Sequence, residues 1–445
     1  MKNVRDLALE ALLSVEKNQA YSNLLLNNYL DKKEISKKDA GLFTEIVYGT
    51  IQRKLTLDYY LQPFIEKQKK MQDWVKVLLR LSLYQMLYLD RVPERAIIHE
   101  AVEIAKIRGH KGIAGVVNGV LRSIQRNGVA SLKDIVDPIQ RISLSSSHPK
   151  WLVEKWVNQY GVEKTEEMCL VNLKPPYQTA RVNENKSTVE EVLEKLESEG
   201  YDVRRGDLSP VSILCLKGNL AHSNLFKEGY FTIQDESSML VAPVLHVSEN
   251  DKVFDSCAAP GGKSTHIAEL LKGTGKVVSS DLHKHKIELI NEQTLRLSLN
   301  NLETIVLDSR KAAETFKEES FDKVLIDAPC SGFGVIRRKP DLKYTKTMQD
   351  VKQLAKIQLD ILFEVAPLVK KGGTLVYSTC TIDKEENEEV VNSFLKLQES
   401  FTLDEELKQY IPEEAKEYVE NGMLQLLPHY FNTDGFFIAR LKRQV

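Results

Sequence analysis

Between residues 252 and 380, five apolar runs alternate with stretches of helical spacing: "KVFDSCA" (252–258), "KVVSSD" (276–281), "LETIVLD" (302–308), "FDKVLIDAP" (321–329) and "GGTLVYSTC" (372–380). Runs that are apolar along most of their length, rather than every second residue, suit strands covered on both faces. Strand and helix taken in turn describe a doubly wound parallel sheet. Such a sheet receives ligands outside the carboxyl ends of its strands, so the residues that close each run are the candidates for function. Two later runs, "MLQLLPH" and "GFFIARLKR", have no helix between them and are expected to pair as an antiparallel edge.

The rest of the chain follows other periods. "VRDLALEALLSVE" places apolar residues at 4, 7, 8, 11, 12 and 15, one face of a helix. "WVKVLLRLSLYQMLYL" (74–89) is apolar nearly all round and reads as the central helix of a bundle. "GIAGVVNGVLRSIQRNG" (112–128) stops at Asn-Gly. Residues 1–138 are therefore expected to form an all-α domain. Residues 139–230 read as a linker, with a short helix, leading into a small α+β domain, and residues 231–445 as the α/β domain.

Charge is distributed unevenly over these parts. Residues 1–150 hold 24 Lys and Arg against 16 Asp and Glu, a net of +8, whereas residues 383–420 hold 13 acids against 4 bases. Lys106, Arg108, Lys111, Arg122 and Arg126 share the stretch 101–126 with one acid, Glu103, and Arg337, Arg338 and Lys339 form a second basic cluster. A basic module beside a near-neutral body fits a polyanionic partner. Charge alone does not separate that from a solvated helical surface. No run approaches the ~18 apolar residues of a membrane helix, and the start of the chain has no signal-peptide core. Five cysteines without a C-x-x-C pair fit a reducing cytoplasm and no disulfide framework. No Cys/His cluster has zinc-ligand spacing, so no metal is expected. A monomer is the default.

"DSCAAPGGKS" (255–264) follows the first strand and opens a helix, where backbone N–H groups can approach a ligand. It is neither G-x-G-x-x-G nor a P-loop. Asp281 closes the second strand, where a carboxylate can hold both hydroxyls of a ribose. Asp308 closes the third, where it can meet an adenine amino group. Each acid alone can equally cap the following helix. Lys263 is the only cation in the turn, which gives a pyrophosphate no basic pair. An adenosine cofactor without phosphates fits better, and S-adenosylmethionine is that cofactor.

"DAPCSG" places Cys330 after the fourth strand, and "STC" places Cys380 after the fifth. Adjacent strands lie roughly 4.8 Å apart, so both thiols can face one pocket. The C5 carbon of a pyrimidine is a poor nucleophile. A thiolate added at C6 makes the ring enamine-like and able to take a methyl group at C5, and an acid such as Asp327 at N3 stabilises the charge that builds there. A second group must then help remove the C5 proton so that the thiol can leave. The residues alone leave open which cysteine attacks. Cys169 and Cys215 read as buried small residues, and Cys257 as a small residue of the turn.

"CAAPGGKS", "DAPCSGFGVIRRKPD" and "YSTCT" together resemble the RNA cytosine-5 methyltransferases of the Nop2/Sun group, while "IIHEAVEIAK" and "VNGVLR" resemble the NusB family of RNA-binding bundles. A NusB-like front on this catalytic domain is similar to the bacterial branch that acts on 16S ribosomal RNA. The resemblance implies that Cys380 attacks and that Cys330 assists release. It implies that Cys257, Ala258, Ala259, Pro260, Gly261, Gly262 and Lys263, with Asp281, Asp308 and Asp327, hold S-adenosylmethionine. It also implies 16S rRNA, or the assembling small subunit, as partner. DNA cytosine-5 methyltransferases use the Pro-Cys thiol and lack the second strand-end cysteine. An idle RNA-binding assembly factor has no need of two thiols and a matched acid.

Overall fold

Helical periodicity in the front third becomes helix in the computed structural model, which describes residues 3–18, 29, 35–36, 38–66 and 71–445. The chain divides into two compact units. One is Met1–Lys174 with Ile336–Thr345, and the other is Pro175–Val335 with Lys346–Val445.

The first unit is helical, with no strand among its described residues. Its central helix Asp73–Tyr88 buries Val75 and the whole run from Val77 to Gln85, as an all-round apolar pattern requires. Helix Lys111–Asn127 ends at Gly128, whose φ of +69° suits glycine. The unit extends past residue 138, because the stretch expected to begin as a linker forms helices Pro138–Ser146, Lys150–Tyr160 and Val162–Val171. Ser143, Ser146 and Ser147 of that stretch are buried, and the first two turn their hydroxyls back on the chain. Ser143 Oγ donates to the His148 carbonyl at 2.7 Å and Ser146 Oγ to that of Ile142 at 2.5 Å. Thr56 Oγ1 in turn donates to the Leu144 carbonyl at 2.6 Å, tying these helices to the bundle.

Residues 336–345 complete this unit, although both their flanks belong to the other one. Lys343 is fully buried and donates to the Gln52 carbonyl at 2.8 Å. The Tyr344 hydroxyl donates to the Ser147 carbonyl at 2.9 Å. Burial lowers Lys343 to about 7. The second basic cluster is thereby corrected: Arg337 is buried and donates to the Lys174 carbonyl at 3.2 Å, so it is structural rather than a phosphate contact. In the first cluster, Arg108 is held by Asp6 and, at 2.9 Å, by Glu10, and Lys106 lies 2.6 Å from Glu103.

The second unit has two sheets. The small one comprises β1 (Gln178–Val182), β2 (Asp202–Arg205), β3 (Ser212–Lys217) and β4 (Phe231–Ile233) in the order β2-β3-β1-β4. Its helix Val189–Ser198 starts with a capping box between Thr188 and Glu191. The large sheet comprises β5 (Lys252–Asp255), β6 (Lys276–Asp281), β7 (Leu302–Val306), β8 (Phe321–Asp327), β9 (Val369–Thr379), β10 (Phe401–Leu403), β11 (Val419–Glu420), β12 (Met423–Leu426) and β13 (Phe436–Arg443). Its order is β11-β12-β13-β9-β8-β5-β6-β7, with β10 beside β13. β5 to β9 run parallel, while β13 is antiparallel to β9 and to β12, the expected edge.

The pleat explains the continuous apolar runs. Leu325 and Val376 face one core, with Ile267 and Ile290 of helices Gly262–Leu270 and Lys284–Arg296. Val324, Ile326 and Leu375 face the other, with Leu362 and Phe394 of helices Met348–Val365 and Glu388–Leu397. No helix among the described residues is long and apolar enough to cross a membrane.

Candidate active site

β5 ends at Asp255, and the chain turns through Cys257–Gly261 into helix Gly262–Leu270. Gly261 sits at φ +101°, and a Cβ there would stand 3.3 Å from Ile290, so backbone conformation and space both call for glycine. Asp255 is buried and accepts from Ser264 Oγ at 2.5 Å. Burial pushes Asp255 up to about 7; the Ser264 bond opposes this and the Asp327 charge adds to it. From the small sheet, buried Arg181 donates to the Gly262 carbonyl at 2.8 Å and pairs with Glu269 at 2.9 Å, which fixes the helix that begins at the turn.

A cavity of about 440 Å³ opens at the carboxyl ends of the parallel strands. Cys257, Ala259, Asp281, Asp308, Asp327, Cys330 and Cys380 all line it. Ala258, Pro260, Gly261, Gly262 and Lys263 do not; they shape the turn behind it. Asp281 also accepts from the His283 backbone N–H at 3.2 Å, with Lys286 Nζ at 3.4 Å. Asp308 caps the turn at Arg310 N and pairs with the Arg310 guanidinium at 2.7 Å, which holds its carboxyl below the usual range. Each acid thus combines a capping bond with a place in the cavity wall. The volume is that of a small-molecule site. Its carboxylates beside apolar Leu307 and Ile357 suit a nucleoside with hydroxyl and amino donors, so the residues fit an adenosine cofactor.

The register of β8 on β9 pairs Asp327 with Ser378, which brings the two following loops side by side. Cys330 Sγ and Cys380 Sγ lie 3.4 Å apart. Asp327 accepts from Ser378 Oγ at 2.8 Å and from Lys263 Nζ at 2.8 Å. Burial works against the Lys263 ammonium, but Asp327, Cys380 and Asp255 outweigh it and raise its pKa. The carboxyl group that the sequence places at the ring is thus held between the Ser378 hydroxyl and the Lys263 ammonium. The hydrogen bond with Cys380, burial and nearby negative charge push the Cys330 thiol well up. Burial pushes Cys257 up to about 12, which removes it as a nucleophile.

Reasoning from sequence did not anticipate Lys263, Ser378, Gln358 or Glu386 as neighbours of the reacting groups. Lys263 stood in a recognised turn but was assigned to the cofactor. Glu386 lay in the acidic run 383–420, which was counted only for its charge, and it is fully buried, as is Asp383.

Family models match three stretches of the chain: the NusB family at residues 2–126, an RsmF/B-like, ferredoxin-like domain at 148–220, and 16S rRNA methyltransferase RsmB/F at 242–442. A probable ribosomal RNA small subunit methyltransferase B from Bacillus subtilis is 56% identical over 99% of each chain. The counterpart of that name from Synechocystis is 35% identical over 100% of each. Among solved structures, that of PH0851 superposes with a TM-score of 0.81 at 27% identity, covering 100% of this chain and 99% of its own.

Proposed function

The chain belongs to the 16S rRNA methyltransferase RsmB/F family, with S-adenosylmethionine as its cofactor, and we propose that it methylates C5 of a cytosine in 16S ribosomal RNA through a covalent bond between Cys380 and C6. The observation that carries this reading is the pair of thiols 3.4 Å apart at the mouth of the cofactor cavity. One-step transfer to an oxygen or nitrogen needs no thiol, whereas addition and release at a pyrimidine ring use two groups in turn.

Cys380 is assigned as the attacking group because it follows Thr379, and the resemblance to the RNA cytosine-5 methyltransferases of the Nop2/Sun group gives attack to the thiol of the Thr-Cys pair. The Lys263 ammonium favours a thiolate beside it. Asp327 lines the cavity beside the polar edge of the ring, and the Lys263 ammonium that it accepts from offsets the negative charge that builds there as the sulfur adds. S-adenosylmethionine supplies the methyl group that C5 then takes. Once Cys380 is bonded to carbon, its hydrogen bond and charge no longer act on Cys330. That thiol then gives its proton to solvent more easily; as a thiolate it takes the C5 proton, the C5–H electrons re-form the C5–C6 double bond, and Cys380 leaves as a thiolate. The basic helical unit engages phosphates of the rRNA or of the assembling subunit, and the protein works as a cytoplasmic monomer.

Nucleoside mass spectrometry of 16S rRNA from cells lacking the gene tests the proposal. One 5-methylcytosine should disappear, return with the unaltered gene and stay absent with Cys380→Ala. Unchanged 5-methylcytosine in the deletion strain would remove it.

A further inference from the structure

Ser331 and Thr381 each follow a reacting cysteine by one residue, and both bond to the same buried carboxyl group. Glu386 Oε1 accepts from the Ser331 backbone N–H at 2.8 Å, and Oε2 from Ser331 Oγ at 2.5 Å and Thr381 Oγ1 at 3.3 Å. The two hydroxyls lie 2.8 Å from each other. Gln358 Nε2 donates to Glu386 Oε1 at 3.1 Å and to the carbonyl of Pro329, the residue before Cys330, at 2.9 Å. The Tyr377 hydroxyl donates to the Glu386 carbonyl at 2.7 Å, anchoring the residue to β9. Glu386 does not line the cofactor cavity.

We propose that Glu386 is a positioning residue for the reacting pair, its carboxyl group clamping the Cys330 loop to the Cys380 loop and so setting the distance between the two sulfurs. The β8–β9 register ends at Asp327 and Ser378, so it aligns the strands but not the loops beyond them. The bonds to Glu386 bridge those loops at one residue beyond each cysteine. A buried acid is expensive to keep unless its bonds do something a leucine cannot. Here it joins two backbone segments 50 positions apart in sequence. Burial lifts the carboxyl to about 7, with Asp383 adding to the rise and the Ser331 and Gln358 bonds opposing it. Tyr377 and Cys330 are the other titratable groups that feel its charge. Either protonation state bridges the loops, because Ser331 Oγ can donate or accept.

The clamp rests on the reading of Cys330 and Cys380 as the reacting pair, and its test uses the full-length protein with and without that chemistry. Diamide takes one hydrogen from each thiol and leaves a disulfide, so mapping the Cys330–Cys380 linked peptide over time reports the sulfur geometry. Loss of the clamp in Glu386→Ala should slow that linkage about tenfold and lower kcat about 100-fold, the cost of ångström-scale misplacement, with KM for S-adenosylmethionine and RNA unchanged. Glu386→Gln keeps the acceptor for Ser331 N and should restore both readouts to within about fivefold. If the alanine variant fails to fold by thermal melting, Ser331→Ala combined with Thr381→Val cuts the same bridge and should show the same slowing. Linkage at the parental rate in a folded alanine or double variant overturns the clamp whatever the activity does. Slowed linkage together with full methylation by Cys380→Ala leaves the clamp standing and removes the assignment of Cys380.

Discussion

The ammonium of Lys263 lies 2.8 Å from the carboxylate of Asp327, joining the cofactor turn to the motif that carries Cys330. Replacing Lys263 with methionine leaves Asp327 its bond from Ser378 but no cation beside it. A proton donor and a favourable charge are lost together, so kcat should fall by about 100-fold or more. RNA affinity should be unaltered, because Lys263 is shielded within the turn. Single-turnover kinetics separate the two, and a methionine variant with parental kcat would exclude Lys263 from the chemistry.

The order of the two thiols is read most directly from a trapped adduct. Cys380→Ala should give neither methylation nor a covalent protein–RNA species. Cys330→Ala should stall after methyl transfer and accumulate, with RNA and S-adenosylmethionine present, a band that survives denaturing electrophoresis. The reverse pattern would exchange the roles.

Asp281→Ala should weaken cofactor binding by about 1.5–3 kcal/mol, the value of a hydrogen bond to a charged group. Titration calorimetry measures this directly. Because Asp281 also accepts from His283 N, the variant should lose some thermal stability as well. Lost stability with normal cofactor affinity would leave Asp281 as a cap only.

Asp255 gives a pH signature. Its folded-state value of about 7 lies above its unfolded value of 3.8, so the native state favours the protonated form. The stability this contributes is complete below pH ~4 and is lost as pH rises through ~7, a swing of order 4 kcal/mol. Asp255→Asn keeps an acceptor for Ser264 and removes the titration. Denaturant unfolding from pH 5 to 8 should therefore fall less steeply for the asparagine variant than for the parent. Parallel profiles would mean that Asp255 is charged in the native state throughout.

Lys111, Arg122 and Arg126 remain as candidate phosphate-binding residues on the helical unit, with Arg122 in a groove of about 720 Å³ beside Arg95 and His99. Neutralising all three should weaken rRNA binding and flatten its log–log salt dependence by about one unit for each phosphate that is no longer neutralised. Arg108→Ala should instead lower the melting temperature, because it breaks pairs with Asp6 and Glu10. Filter binding across a salt series decides the first claim; an unaltered slope would remove this face from RNA recognition.

What could be read from sequence was whatever depends on local pattern. β5 to β9 were visible because a strand covered on both faces carries an apolar run, and Cys330 and Cys380 were visible because each closes one. The helix Pro138–Ser146 was not visible: a serine-rich stretch looks the same whether its hydroxyls meet water or neighbouring carbonyls. Arg337, Lys343 and Glu386 were misjudged or overlooked for one reason. A charged residue is buried only if distant segments satisfy it, and those partners, Lys174, Gln52 and Ser331, are far away along the chain. Asp308 was located at its strand end, but its guanidinium partner two residues on was not foreseen.

The return of residues 336–345 to the helical unit also sets a timetable for synthesis. A ribosome finishes the nine helices described up to Val171 well before it makes Lys343 and Tyr344. Until then the carbonyls of Gln52 and Ser147 lack the donors that meet them in the finished protein. β1 to β8 are made in that interval, so the helical unit is completed only after the small sheet and the first four strands of the nine-stranded sheet have been synthesised. A nascent chain interrupted after residue 174 therefore carries an unfinished bundle.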